Sequence, residues 1–392
     1  MNILFTLLTL AVMIGIGYLL SEDKKAINWR TISMGLVGQI VVMFFVLKTS
    51  IGKWLLSTLA SGVTTVLSLG MEGVEFVFGT ELIGTGAFAI TVLAGVCFTA
   101  TLISVLHYLK VVPFLVKNLG RVVGKIMGTT EIESFSAIAS SILSATESPL
   151  LTKPYLKDLT KSELFAVILG GFATVSVSII LGYSQLGMRM EFILVQMAVS
   201  PFAILLMSKL LIPQTEETRI KDVKVVKSPY TSIFDAIGGG AIEGGNVALN
   251  VGMVLIGFLG VIGFVNLVLG LFGTSLIDLF NIILTPIAWL MNIPSHEVAT
   301  FTQAIGLKIS ANEFVAISTI SPVVADLSMR TQAILCLAIV NFGNFSVMGI
   351  TLGSFAVFCP QQKDLVGKLC FKALVGAVLT SLISASLIGM FF

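Results

Sequence analysis

Charge is what this sequence has least of. Only 11% of its 392 residues are Asp, Glu, Lys or Arg, against about 25% in an ordinary soluble domain. Apolar residues make up 56%, more than a soluble fold of this length can hide, because the buried fraction rises only slowly with size. A water-soluble globule is excluded, and a polytopic membrane protein is implied. The formal net charge of +2 comes with no basic tail, so no nucleic-acid partner is expected. Cysteine is scarce. Cys97, Cys336, Cys359 and Cys370 are scattered, with no CxxC pair and no histidine beside them, which argues against a disulfide framework or a zinc site. His296 precedes Glu297, but the second histidine four residues on that a zinc helix needs is missing. There is no GxxxxGK[ST] stretch, no GxSxG turn and no DxD cluster. ATP-driven transport is therefore not indicated, and an ion gradient is the expected energy source.

What is present is a series of long apolar runs. The N-terminus, MNILFTLLTLAVMIGIGYLL, lacks a basic leader and an A-x-A site, so it reads as a retained first span. A span needs about 20 apolar residues. Candidates are 3–20, 31–48, 86–109, 164–184, 190–212, 247–272, 331–355 and 372–391. The stretches 51–79 and 273–293 carry acids or prolines and read as interfacial helices. GGGAIEGG at 238–245 reads as a flexible hinge ahead of a span.

Basic residues orient the chain, since Lys and Arg concentrate in cytoplasmic loops. With both termini outside, Lys24, Lys25, Arg30, the 110–125 and 153–161 clusters, the 209–227 cluster and Lys363–Lys372 all fall inside. Only Lys48, Lys53, Arg189 and Arg330 fall outside, with Lys308 inside an acidic segment near the membrane edge, snorkelling. That arithmetic requires 131–160 to enter and leave from the cytoplasm, and 295–325 to enter and leave from outside. Neither can hold two full spans, so each reads as a re-entrant helical hairpin.

The second half echoes the first. FATVSV at 172–177 matches FGNFSV at 342–347, Glu147 matches Glu313, and MGTTEIES at 127–134 loosely matches MNIPSHEV at 291–298, at an offset of 164 to 170 residues. Because the hairpins open oppositely, this is an inverted repeat, the architecture of secondary transporters with a midplane site. Small and polar residues inside the two matched spans, Thr174, Ser176 and Ser178, then Gly343, Asn344, Ser346 and Gly349, fit either close helix packing or unwound backbone lining a cavity. Glu147 and Glu313 cost about 2.5–3.5 kcal/mol each at mid-bilayer. Each either caps a half-helix or faces a polar cavity holding substrate hydroxyls, a cation or a proton.

The residues GMEGVEFVFG at 70–79, ISVLHYL at 103–109, Glu133-Ser134, ATES at 145–148, ATVSVSI at 173–179, ANEFVA at 311–316 and NFGNFS at 341–346 together resemble the concentrative nucleoside transporters, in their bacterial permease branch. The resemblance covers nearly the whole chain. It implies an all-α membrane protein of eight transmembrane helices, two re-entrant hairpins of opposite topology and interfacial helices, assembled as a homotrimer in the bacterial inner membrane. It implies a symporter that imports nucleosides with a cation by alternating access, without organic cofactor. By position, Thr146, Glu147 and Ile179 would meet the base, with Ala145 where the family commonly has Gln. Phe342 would lie in the pocket, and Glu313 and Asn344 would bind the ribose. Val347 stands where a ribose-contacting Ser is often found, beside Ser346. For the cation, Ser140, Leu143, Thr174 and Val175 match sodium-site positions. Ser140 replaces the Asn of sodium-coupled members, which favours H+ over Na+, with Glu313 or Glu147 as carrier. The implied organisation is 1–85 scaffold spans and interfacial helix; 86–212 first repeat, with hairpin 131–160 and broken helix 164–184; 213–246 cytoplasmic loop and connector; 247–355 second repeat, with hairpin 295–325 and broken helix 331–355; and 356–392 last loop and final span. Open alternatives are a transporter of another polar metabolite, such as a nucleobase, and an intramembrane enzyme using paired acids.

Overall fold

The computed structural model describes residues 2–85, 89–90, 94–143, 151–220, 222–223 and 228–392. Among them there are helices and no strands, as a chain without water around its backbone requires. The N-terminal part holds α1 (Asn2–Leu19), α2 (Trp29–Lys48), α3 (Ser50–Phe78) and the short α4 (Thr80–Gly84). Then come α5 (Ala94–Tyr108) and α6 (Val111–Met127), which meet at a 74° bend. Lys110 makes that bend with a left-handed backbone, φ 64°. α6 buries Val112, Val116, Gly120, Val123 and Met127 along one face, and Lys117, Arg121 and Lys125 lie between those turns.

α7 (Glu131–Ile142) starts the first hairpin. The first broken helix follows as α8 (Lys161–Ala173), an extended break from Thr174 to Ser176, a 3-10 turn Val177–Ile179, and α9 (Ile180–Gln185). α10 is Met190–Leu211 and α11 is the 38-residue Ile233–Gly270. α12 (Leu276–Leu290) has 15 residues, about 22 Å at 1.5 Å per residue, short of the bilayer core. The second hairpin is α13 (Val298–Ser310) and α14 (Glu313–Ile320). The second broken helix is α15 (Met329–Ile339), a break at 340–344, and α16 (Phe345–Phe358), and the chain ends with α17 (Lys363–Ile388).

Seven described helical stretches are long and apolar enough to cross a membrane, or eight if the bent α5–α6 pair is one span. Two expectations change. The 51–79 stretch, read as interfacial from its acids, is long and apolar enough to cross: α3 is a continuous 29-residue helix. GGGAIEGG is not a hinge but continuous helix within α11. Its glycines serve packing. A Cβ on Gly240 would lie 2.7 Å from the Ser104 Cβ, and one on Gly244 2.7 Å from the Cys97 Cα, so α11 lies directly on α5. Gly carries a helix-interior penalty of about 1 kcal/mol, which this close contact offsets.

Both breaks lie in a core of elements buried nearly all round. α8 and α15 expose almost nothing of themselves, and Tyr183, Phe165, Phe172 and Phe301 are among the largest fully buried side chains. The repeat is visible in how each hairpin base is tied down. In the first half, Glu133 joins the Thr130 capping box and pairs with the buried Lys209, whose ammonium also donates to Ser162 Oγ at 2.6 Å. In the second, Glu297 accepts from Ser328 N at 2.6 Å and from Ser328 Oγ at 2.9 Å. Each acid thus ties a hairpin base to the start of the following broken helix.

Candidate substrate and cation site

Asn312 starts α14. Its side chain accepts from Val315 N at 2.9 Å, a side-chain cap, and the residue that follows it is Glu313. The Glu313 carboxylate is 4% exposed and is held on both oxygens. Oε1 accepts from Tyr183 Oη at 3.1 Å, and Oε2 accepts from Asn344 Nδ2 at 3.0 Å. Three elements therefore converge on one carboxylate: the second hairpin, the end of the first broken helix and the break of the second. Tyr183 is itself locked, fully buried with its ring 4.8 Å from that of Phe314.

Asn344 is both a partner of the acid and a cap. Its Oδ1 accepts from Val347 N at 3.1 Å and from Ser346 Oγ at 2.6 Å. With its oxygen committed to α16, its amide nitrogen is oriented toward Glu313. The unwound backbone is a structural fact in both spans, so the cavity-lining alternative for FATVSV and FGNFSV has the geometry it needs. The two breaks touch: Phe342 N donates to Thr174 O at 3.1 Å. Asn341 Oδ1 accepts from Gly343 N at 3.1 Å, holding the second break open.

On the first-half side, Thr174 Oγ1 donates to Gly170 O at 2.7 Å. Ser140 is fully buried and packs at Gly170, where a Cβ would lie 2.7 Å from its hydroxyl oxygen. Val175 and Leu143 are also buried, and Leu143 ends α7 with extended backbone. Ile179 is buried and Phe342 half-buried. Of the residues singled out from sequence, the structure joins Glu313, Asn344 and Ser346 by hydrogen bonds and links Phe342 to Thr174. Ala145, Thr146 and Glu147 lie outside the described residues.

Tyr183 was not anticipated from sequence. The available signal was a lone phenol in an apolar span, since a buried Tyr hydroxyl needs a partner. Lys308 differs from expectation outright. It is not at the membrane edge but 1% exposed, folded inward against the second break. Among the described residues no group of His, Cys, Asp and Glu could hold a metal ion. A sodium ion would instead rest on hydroxyl and carbonyl oxygens, and Ser140 with Thr174 offers that donor chemistry.

Three family models match the chain. They are described as Na+ dependent nucleoside transporter N-terminus over residues 8–81, nucleoside recognition over 89–190, and Na+ dependent nucleoside transporter C-terminus over 192–389. The chain is 35% identical over 416 residues to a nucleoside permease of Helicobacter pylori, covering 99% of this chain and 97% of the permease. It resembles the structure of CNTnw in an inward-facing substrate-bound state, with a TM-score of 0.95, 34% identity, and coverage of 100% of this chain and 99% of that one. It also resembles a CNTnw variant in an outward-facing state, at a TM-score of 0.93, 34% identity and coverage of 100% and 98%.

Proposed function

This chain belongs to the concentrative nucleoside transporter family, and we propose on that premise that it imports nucleosides with a coupling cation by alternating access. Its relatives are permeases rather than enzymes, which removes the intramembrane-enzyme alternative. The observation that carries the finer reading is the Glu313 carboxylate, gripped by Tyr183 and Asn344 where the second hairpin meets the second break. A carboxylate has about four lone-pair sites, and side chains of the described residues use two of them. The remaining acceptors suit the paired hydroxyls of a ribose. Ser346, with a hydroxyl already aligned on Asn344, extends that polar edge.

In this reading the ribose binds between the second hairpin and its broken helix, through Glu313, Asn344 and Ser346. The base meets the first hairpin through Ala145, Thr146 and Glu147, with Ile179 and Phe342 as apolar walls. The coupling cation is a proton in preference to sodium, because Ser140 offers one oxygen where sodium-coupled members resemble each other in an Asn. Glu313 or Glu147 carries the proton. The hairpins and broken helices move against a scaffold in a homotrimer of the bacterial inner membrane.

Uptake of radiolabelled uridine and adenosine into proteoliposomes, under an imposed pH or sodium gradient, tests this. Uptake driven by the pH gradient and blocked by ribosyl but not 2′,3′-dideoxy competitors is expected. Absence of gradient-driven uptake of any nucleoside refutes it, and equal competition by free nucleobases would favour a nucleobase carrier.

A further inference from the structure

Lys308 is unused by the reading above, and its surroundings are unusual. It is 1% exposed and among the largest fully buried side chains. No hydrogen bond or ion pair within 4.0 Å is made by its ammonium among the described residues. The ammonium lies against the second break: a Cβ on Gly343 would be 2.9 Å from Lys308 Nζ, 3.0 Å from the Ala377 Cβ and 3.1 Å from Asn341 Oδ1. A Cβ at 343 would require the ammonium to shift. An unbalanced cation buried this way is strongly destabilising, so something must offset it.

The hairpin tip supplies the offset. Lys308 is in the last turn of α13, where the helix dipole favours a cation. Glu313 is the first residue of α14, where the dipole favours an anion. The break at Ala311 and Asn312 separates the two helix ends, and both charged groups lie against the second break, the ammonium beside Asn341 and Gly343 and the carboxylate on Asn344. Tyr183, on the first broken helix, is a further titratable group bonded to Glu313.

We propose that Lys308 is a resident counter-cation of the site, a positioning residue that neutralises Glu313 across the hairpin tip and holds the Asn341–Gly343 break against it. The tip then carries one positive and one negative charge on a single rigid turn. While Glu313 is ionised, the tip can pass through low-dielectric surroundings without net charge.

Sign epistasis in stability tests this on the full-length protein in detergent, independently of which solute is carried. Lys308→Met and Glu313→Gln should each lower the melting temperature, by about 5–10 °C for a broken buried pair. The Lys308→Met/Glu313→Gln double variant, which restores neutrality, should melt above either single variant. Lys308→Arg should keep most of the stability and uptake. If Lys308→Met cannot be recovered from membranes, recovery of the double variant supports the pairing and its failure overturns it. Additive losses in the double variant, or a Lys308→Met protein as stable as the parent, also overturn it.

Discussion

Tyr183 and Asn344 hold the two oxygens of Glu313, but replacing them has different consequences. Tyr183→Phe deletes one donor and keeps the ring against Phe314. A hydrogen bond to a charged group is worth about 1.5–3 kcal/mol, so uptake efficiency should fall by about 10-fold to 100-fold. The melting temperature should fall by a few degrees as well, because a buried carboxylate oxygen loses its donor. Asn344→Ala also removes the cap on α16, adding about 1 kcal/mol of lost stability. Uptake and melting should both drop, and a variant that melts normally would deny Asn344 its capping role. Glu313, Asn344 and Ser346 were legible in the sequence because a polar residue in an apolar run has to have a reason. Tyr183 was not, because a phenol is half apolar and its partner lies 130 residues away. Lys308 misled for a related reason. A long side chain is as able to reach the membrane edge as to fold inward, and only the space left by Gly343 decides.

At the level of elements, glycine in helix α11 supports a sharp test. Gly244→Val would place atoms 2.7 Å from the Cys97 backbone. Overpacking of that kind costs about 1–3 kcal/mol, so the variant should show a lowered melting temperature, whereas Gly257→Val, with open space around it, should not. The same glycines explain a misreading. GGGAIEGG looks like a hinge when its neighbours are unknown, and becomes a packing surface once α5 is laid against it. The broken helices were legible because each shows the same small and polar interruption, and the repeat doubles the signal. The extent of α3 was legible, but its capacity to span was obscured by its acids, Glu72 and Glu75, which sit near its end.

Across the whole molecule, Glu22 joins parts far apart in sequence. On the loop between α1 and α2, it pairs with Lys161 at 2.6 Å, at the start of α8, and with Lys372 at 3.0 Å, in α17. Partial burial alone would raise its pKa, but the two ammonium groups overcome that and hold the carboxyl below its usual range. A depressed value means that the stabilisation is complete above the ordinary carboxylate range and fades as pH drops through the lowered value. Glu22→Gln should therefore be less stable than the parent at neutral pH, by about 0.2–1 kcal/mol per exposed pair, and equal to it in strong acid. Melting curves between neutral and acidic pH check this. Orientation is a separate question. With both termini outside, single cysteines at Ser21 and Thr218 in a background without native cysteines should label only from the cytoplasmic side; labelling from outside would invert the assignment.

The short bond from the Phe342 amide to the Thr174 carbonyl has a mechanical consequence. It staples the interrupted middle of one half directly to that of the other. At about 0.5–1.5 kcal/mol net for a neutral backbone bond, it favours the two interruptions travelling together, like wheels on a light axle, without forbidding either from moving alone.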